Sequence, residues 1–144
     1  EWVVADIGCG DAEIAASARQ PVRSFDLVAT NERVTASDAA ALPLADGSVD
    51  VAVFCLALMG SNQSDFLREA HRVLRPRGAL RIAEVASRFD DVEAWLRSVE
   101  DLGFVLSDRD ESNSHFWLFG FTRAARGLES AAAVPLRPCL YKKR

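Results

Sequence analysis

The chain lacks most of what would mark a secreted or membrane-embedded protein. Its three cysteines (Cys9, Cys55 and Cys139) lie far apart and form no Cys-x-x-Cys pair. That odd, dispersed set excludes a disulfide framework and a zinc cluster, so the thiols read as reduced cysteines of an intracellular protein. No apolar run approaches the roughly 20 residues that a bilayer span needs. The longest, Val49 to Met59, is interrupted by Asp50. With five Pro and eight Gly there is no collagen-like or low-complexity stretch. No signal peptide is visible, and the chain opens at Glu1, without Met, directly in an apolar stretch. Residues 1–144 therefore read as one domain that is incomplete at its N-terminus.

What is present is ordinary globular material: 144 residues, 49% hydrophobic and 26% charged. A chain of this size buries roughly two thirds of its unfolded surface, enough for a real core. The net charge of −4 speaks against a nucleic-acid partner, but its distribution is uneven. Residues 1–60 carry 9 acids and 3 bases, residues 61–120 carry 11 and 8, and the last 24 carry 1 and 6. An acidic front and a basic tail are compatible with a polyanion approaching one side. On charge alone, a solvated tail is the plainer reading.

Short apolar runs alternate with amphipathic stretches, the pattern of a parallel α/β sheet. Strands are expected at 2–7, 22–28, 34–38, 49–58 and 79–85. The fourth is the most hydrophobic and should be central. Asp11 can cap a short helix through Ala18, and Ser64 a longer one whose Phe66, Leu67, Ala70, Val73 and Leu74 share a face. Pro76-Arg77-Gly78 closes that helix. A further helix from Asp90 to Leu102 ends at Gly103, and a last pair of strands follows at 104–107 and 115–122. The connections at 29–33 and 38–49 are too short for helical crossovers, so extended or one-turn links are expected there. Arg123 to Val134 is the only linker-like stretch.

The strongest chemical signal is Val3-Val-Ala-Asp-Ile-Gly-Cys-Gly-Asp11, a strand running into Gly-x-Gly and a helix. Glycines there let the backbone come close to a ligand. The third glycine of the dinucleotide fingerprint is missing, so a pyrophosphate is not indicated. Asp26 lies 18 positions beyond Gly8, at the end of the second strand, where a carboxylate faces the crevice and can accept both hydroxyls of a ribose. Asp38, ending the third strand, can accept from the exocyclic amine of an adenine. Either aspartate alone is a polar strand end. In register with Gly8 and Gly10, the two point to S-adenosyl-L-methionine, with S-adenosyl-L-homocysteine as product.

At these residues the chain resembles the class I S-adenosylmethionine-dependent methyltransferases. Asp6-Ile-Gly-Cys-Gly10, Asp38-Ala-Ala-Ala-Leu-Pro-Leu-Ala-Asp-Gly-Ser-Val-Asp-Val-Ala-Val53 and Glu69-Ala-His-Arg-Val-Leu-Arg-Pro-Arg-Gly78 follow that superfamily's order. Phe25-Asp-Leu27, Val53-Phe-Cys-Leu-Ala-Leu-Met-Gly60, Glu84-Val-Ala-Ser-Arg-Phe89, Asn113-Ser-His-Phe-Trp-Leu-Phe119 and Pro138-Cys-Leu-Tyr-Lys-Lys-Arg144 are similar to the ribosomal RNA-processing protein 8 (nucleomethylin) family. The resemblance covers essentially the whole chain. It implies a Rossmann-like α/β fold, with a seven-stranded, mostly parallel sheet, an antiparallel last strand, and N-terminal helices absent from this sequence. The implied enzyme methylates N1 of an adenosine in large-subunit ribosomal RNA, in the nucleus and nucleolus, as a monomer without membrane attachment. For the animal member the family also implies chromatin-silencing partners at ribosomal DNA. Cofactor contacts carried over by position fall on Gly8, Gly10, Asp26, Asp38, Ala39 and Cys55, with Ala39 offering its backbone amide. Ala39 stands where the family often has Met, and Pro76-Arg77-Gly78 replaces the usual Pro-Gly-Gly, with Arg77 expected on a tolerant turn position.

No catalytic side chain and no metal is required. Adenine N1 has an in-plane lone pair and attacks without first losing a proton, so positioning supplies most of the acceleration. The Asn/Asp-Pro-Pro-Tyr motif of exocyclic-amine methyltransferases is absent; Cys55-Leu-Ala-Leu-Met-Gly60 stands in its place. A nucleophilic Cys55 is disfavoured because it lacks a Pro-Cys context and is expected inside a buried strand. Asn113 and His115 are candidates to touch a base, against a plainer reading of His115 as a buried strand residue. His71 is expected to be solvated, and Arg68, Arg72 and Arg75 to form surface ion pairs with acids such as Asp65 and Glu69. Trp95, Phe116, Trp117 and Phe119 read as core. The alternatives are a small-molecule methyltransferase and a non-catalytic cofactor-binding chromatin scaffold.

Overall fold

The computed structural model describes residues 2–10, 12–58 and 62–124. The basic tail, the Pro138–Arg144 motif, most of the linker-like stretch and the Asp11 cap lie outside the described residues. The elements run β1 (Val4–Ile7), α1 (Glu13–Ser17), β2 (Val22–Asp26), β3 (Val34–Ala36), β4 (Val49–Cys55), α2 (Gln63–Val73), β5 (Leu74–Val85), α3 (Val92–Asp101), β6 (Phe104–Asp110) and β7 (Phe116–Arg123). They form one seven-stranded sheet in the order β3-β2-β1-β4-β5-β7-β6. Every pairing from β3 to β5 is parallel, and β7 runs antiparallel to both neighbours. The most hydrophobic strand, β4, is central, as its composition requires.

Alternation along the strands sorts the two faces. Ala52 and Phe54 of β4, Leu80 and Ile82 of β5, and Phe119 and Phe121 of β7 are buried, together with Leu67, Ala70 and Val73 of α2 and Trp95, Leu96 and Val99 of α3. Apolar residues at helical spacing put one stripe of each helix onto this face. Asp91 caps α3 by accepting from the Ala94 amide at 3.0 Å. In α2 the start falls at Gln63, with Asn62 as N-cap and no side-chain cap, so Ser64 is not the capping residue. Residues 27–33 and 39–48 contain bends and turns but no helix, as their lengths dictate.

The 39–48 connection is organised by α2 instead. The Arg72 guanidinium donates to the carbonyls of Leu44 (2.8 Å) and Leu42 (3.1 Å) and to Asp46 (2.7 Å), while Glu69 accepts from the Leu42 amide. Arg72 is therefore a loop staple rather than a plain surface pair, whereas Arg68 with Asp65 is an exposed helix pair. Asp50 accepts from the Val3 amide at 2.8 Å and pairs with Arg75.

These contacts set an acid limit. The Arg72 guanidinium and the Leu42 amide hold the Glu69 carboxyl below its ordinary range despite burial. The Val3 amide and Arg75 do the same for Asp50. A carboxylate with a lowered folded pKa binds fewer protons than in the unfolded chain, so its stabilisation is complete above about pH 5 and is lost as pH falls below about 4. The urea midpoint is expected to fall through that window, and a Glu69→Gln/Asp50→Asn chain to show a shallower fall. Equal slopes would remove these two groups from the account.

One irregularity concerns Arg77. Leu74 pairs with Val49 and Ala79 with Val51, so residues 75–78 of β5 bulge opposite a single residue of β4. Arg77 has φ 64, in the left-handed region. The turn position is thus not tolerant; it favours the glycine that the sequence lacks. A Cβ on the adjacent Gly78 would come 2.8 Å from the Arg75 carbonyl oxygen, which leaves no room there. Arg77→Gly is expected to leave stability unchanged or raise it by up to about 1 kcal/mol in urea denaturation. A clear loss would show that Arg77 makes compensating contacts.

Candidate functional site

In an open α/β sheet, ligands bind beyond the carboxyl ends of the strands, where the strand order reverses. Here β1, β2 and β3 step one way and β4 and β5 the other, so the crevice lies between β1 and β4. Along that edge the chain lines up, in order, Asp38 two residues past β3, Asp26 ending β2, Gly8 and Gly10 after β1, and Cys55 ending β4. Three strand spacings of about 4.8 Å make a row roughly 14 Å long.

The loop after β1 is tied to the end of β2. The amides of Gly8 and Cys9 both donate to the Phe25 carbonyl, at 2.8 and 3.0 Å. The Gly10 amide donates to Asp26 Oδ2 at 2.9 Å. Gly8 and Gly10 hold φ of 72 and 58, which L side chains rarely adopt. A Cβ built on Gly10 would meet nothing within 4 Å, so open space lies directly over the loop. The backbone of this loop is therefore open to close approach from that side. Ala12, the N-cap of the five-residue helix α1, is also left-handed at φ 62.

Asp26 is half-buried, and Asp38 is exposed. Each carboxylate oxygen accepts more than one hydrogen bond, so Asp26 can hold Gly10 and still receive ligand hydroxyls. Asp38 uses Oδ1 to accept from the Ala40 amide at 2.9 Å, which orients its side chain. Ala39 is half-buried and packs against the core. Cys55 is exposed, not buried within the strand as expected, because β4 ends at Cys55 rather than at Leu58. Burial therefore does not shield the Cys55 thiol, and the missing Pro-Cys context is what disfavours a nucleophilic role. Leu27 and Val28 are apolar enough to be expected in β2. They lie beyond its end, 75% and 63% exposed, immediately after Asp26. They place an exposed apolar surface directly beside the Asp26 carboxylate; the Phe25-Asp-Leu-Val order was the available signal.

The other candidates divide. Asn113 Oδ1 accepts from the amides of His115 (2.8 Å) and Phe116 (3.1 Å), so Asn113 caps the entry to β7. His115 is exposed ahead of that strand and is not a buried strand residue. His71 is not solvated. It is half-buried, its ring T-shaped against Phe104 with centres 5.4 Å apart, and burial, reinforced by the Arg123 charge, pushes its pKa down. Trp95 and Phe119 are core, Trp117 is half-buried against it, and Phe116 is 45% exposed. Among the described residues, no group of three or more His, Cys, Asp or Glu could hold a metal, and no helix is long and apolar enough to cross a membrane.

The reversed strand order, the antiparallel β7, the glycine turn after β1 and the acid ending β2 define the class: a Rossmann-like class I methyltransferase fold. The structure of a Burkholderia thailandensis 1,6-didemethyltoxoflavin-N1-methyltransferase with bound S-adenosylhomocysteine superposes with a TM-score of 0.68 at 20% identity, covering 85% of this chain and 71% of that one. The chain belongs to the family whose sequence model, described as "Hypothetical methyltransferase", matches residues 1–144. It is 53% identical to ribosomal RNA-processing protein 8 of Rattus norvegicus over 99% of this chain and 32% of the relative. It is 44% identical to the 25S rRNA (adenine(645)-N(1))-methyltransferase of Schizosaccharomyces pombe, over 99% of this chain and 47% of the relative. The chain thus spans a third to a half of the length of these relatives.

Proposed function

We propose that residues 1–144 are the methyltransferase domain of an S-adenosylmethionine-dependent enzyme that methylates N1 of an adenosine in large-subunit ribosomal RNA, in the nucleolus. The observation that carries this reading is the Asp38, Asp26, Gly8–Gly10, Cys55 row, held by the Gly10 amide on Asp26. The name of the S. pombe relative supports the acceptor atom. In this reading Asp38 accepts from the adenine amine, Ala39 offers its backbone amide, Leu27 and Val28 flank the ring, and Asp26 accepts the ribose hydroxyls. Gly8 and Gly10 let the amino-acid end lie against the backbone, and Cys55 borders the side from which the acceptor enters. The cofactor, when bound, supplies an electrophilic methyl group. The chain's own contribution is to hold the acceptor ring in line and exclude water, since adenine N1 needs no base.

The test is transfer of tritiated methyl groups to large-subunit rRNA from a strain lacking the endogenous enzyme. Label in the rRNA that is recovered as 1-methyladenosine is the expected result. Label confined to small molecules would overturn the RNA acceptor, and no dependence on Gly8→Arg would overturn the site.

A further inference from the structure

The mechanism above leaves one buried charged pair unused. Glu84 near the end of β5 and Arg88 in the turn that follows are 1% and 2% exposed, and Arg88 Nη1 donates to Glu84 Oε1 at 2.8 Å. Both also reach the same third residue. Glu84 Oε2 accepts from the Leu58 amide at 3.2 Å, and Arg88 Nη2 donates to the Leu58 carbonyl at 2.6 Å. One ion pair thus grips both polar groups of a single backbone residue, from opposite ends.

That residue lies where direction matters. Leu58 is three positions past the end of β4, beyond Cys55, with its side chain fully buried in the core. Between them Leu56 is held at φ 56, a conformation costly for a side chain with a Cβ, with its amide donating to the Ala83 carbonyl at 2.8 Å. Strain of this kind persists only where surrounding contacts over-determine it. A buried ion pair is a poor device for stability, because apolar residues of similar volume serve as well or better. What charges add is orientation: a carboxylate takes only donors, and a guanidinium fork takes only acceptors. The Leu58 peptide groups can therefore sit in one sense only.

Resting on the proposed function, we infer that Glu84 and Arg88 are positioning residues for the acceptor base. They fix the course of the backbone over residues 56–58, which follows Cys55 on the side where the proposed acceptor enters. Asp38, Asp26 and Gly8–Gly10 of the row stand at or beyond the ends of β3, β2 and β1, which the Glu84 and Arg88 contacts to Leu58 do not touch. Two variants of the full chain test this. Glu84→Leu/Arg88→Met removes both charges at similar volume, and Arg88→Lys keeps the charge but loses the planar fork. Both are expected to bind S-adenosylhomocysteine within threefold of the unsubstituted protein. The kcat for methyl transfer to rRNA should fall at least tenfold, with KM for the cofactor unchanged. Amide exchange at Leu58 should quicken at least tenfold, with exchange at Ala52 and Ile82 unmoved. Normal transfer by either variant, unchanged exchange at Leu58, or parallel loss of cofactor binding would each overturn the inference. Absence of transfer by the unsubstituted protein is a different result, and counts against the proposed function itself.

Discussion

Replacing Asp26 with Ala is expected to weaken S-adenosylhomocysteine binding at least a hundredfold and to abolish methyl transfer at ordinary cofactor concentrations. The carboxylate stands at the end of β2, directly beside the loop it organises, and its Oδ2 accepts from the Gly10 amide at 2.9 Å. In the proposed complex it also accepts two ribose hydroxyls. Hydrogen bonds to a charged group contribute about 1.5–3 kcal/mol each, so losing two costs about 3 kcal/mol or more, roughly a hundredfold or more in affinity. The loop loses its anchor as well, which adds to the effect. Asp26→Asn keeps an acceptor for Gly10 but weakens the bonds to the ribose, and a loss of about tenfold is expected. Calorimetric titration measures both. An Asp26→Ala affinity within threefold of the parent would mean the ligand does not lie along this edge.

Trp95→Ala should destabilise the chain by about 3–5 kcal/mol in urea denaturation, the range for emptying a large aromatic site. Trp95 is 1% exposed and is the hub of the aromatic cluster, with ring centres 5.0 Å from Phe89, 5.3 Å from Phe119 and 6.2 Å from Phe121. Its indole N–H donates to Gln63 Oε1 at 3.1 Å, tying α3 to the first residue of α2. Gln63 is fully buried, so truncation leaves its acceptor without a donor. Trp95→Phe separates the two causes. It keeps most of the packing and loses the hydrogen bond, at an expected cost of about 1–3 kcal/mol. A loss below 1 kcal/mol for Trp95→Ala would show that the core collapses around the site.

Much of this was readable from residue order. Apolar runs broken by glycine and proline locate the inner strands, because strands buried on both faces are continuously hydrophobic, whereas the edge strands β3 and β6 are mostly exposed. The amphipathic stripe of Phe66, Leu67, Ala70, Val73 and Leu74 marks α2, since only a helix brings those positions together. The boundaries were less readable at the carboxyl ends. Leu27, Val28 and Leu56 to Leu58 are as apolar as the strands they follow, yet they lie past the ends of β2 and β4. Hydrophobicity reports side-chain chemistry and not placement, and Leu27 and Val28 are apolar yet 75% and 63% exposed. For the same reason Cys55 was expected inside the strand and is exposed.

Long-range polar contacts were not readable. Arg72 appeared as a helix-surface cation because its partner at helical spacing, Glu69, is visible in the sequence. Its bonds to Leu42, Leu44 and Asp46 span nearly thirty positions and leave no pattern. Glu84 and Arg88 are four apart, like any exposed pair, and only their burial separates them from one.

By itself, then, the sequence determined the order of strands and helices, the glycine turn after β1, and the acidic residues at the carboxyl ends of the second and third strands. Those features are local, set by side-chain polarity and backbone freedom at neighbouring positions. Tertiary structure decided which carboxyl ends stand side by side, that Asp26 holds the Gly10 amide, and that a buried ion pair grips Leu58. Each of these joins residues far apart in the chain, and only the packing of the sheet brings them within hydrogen-bond distance.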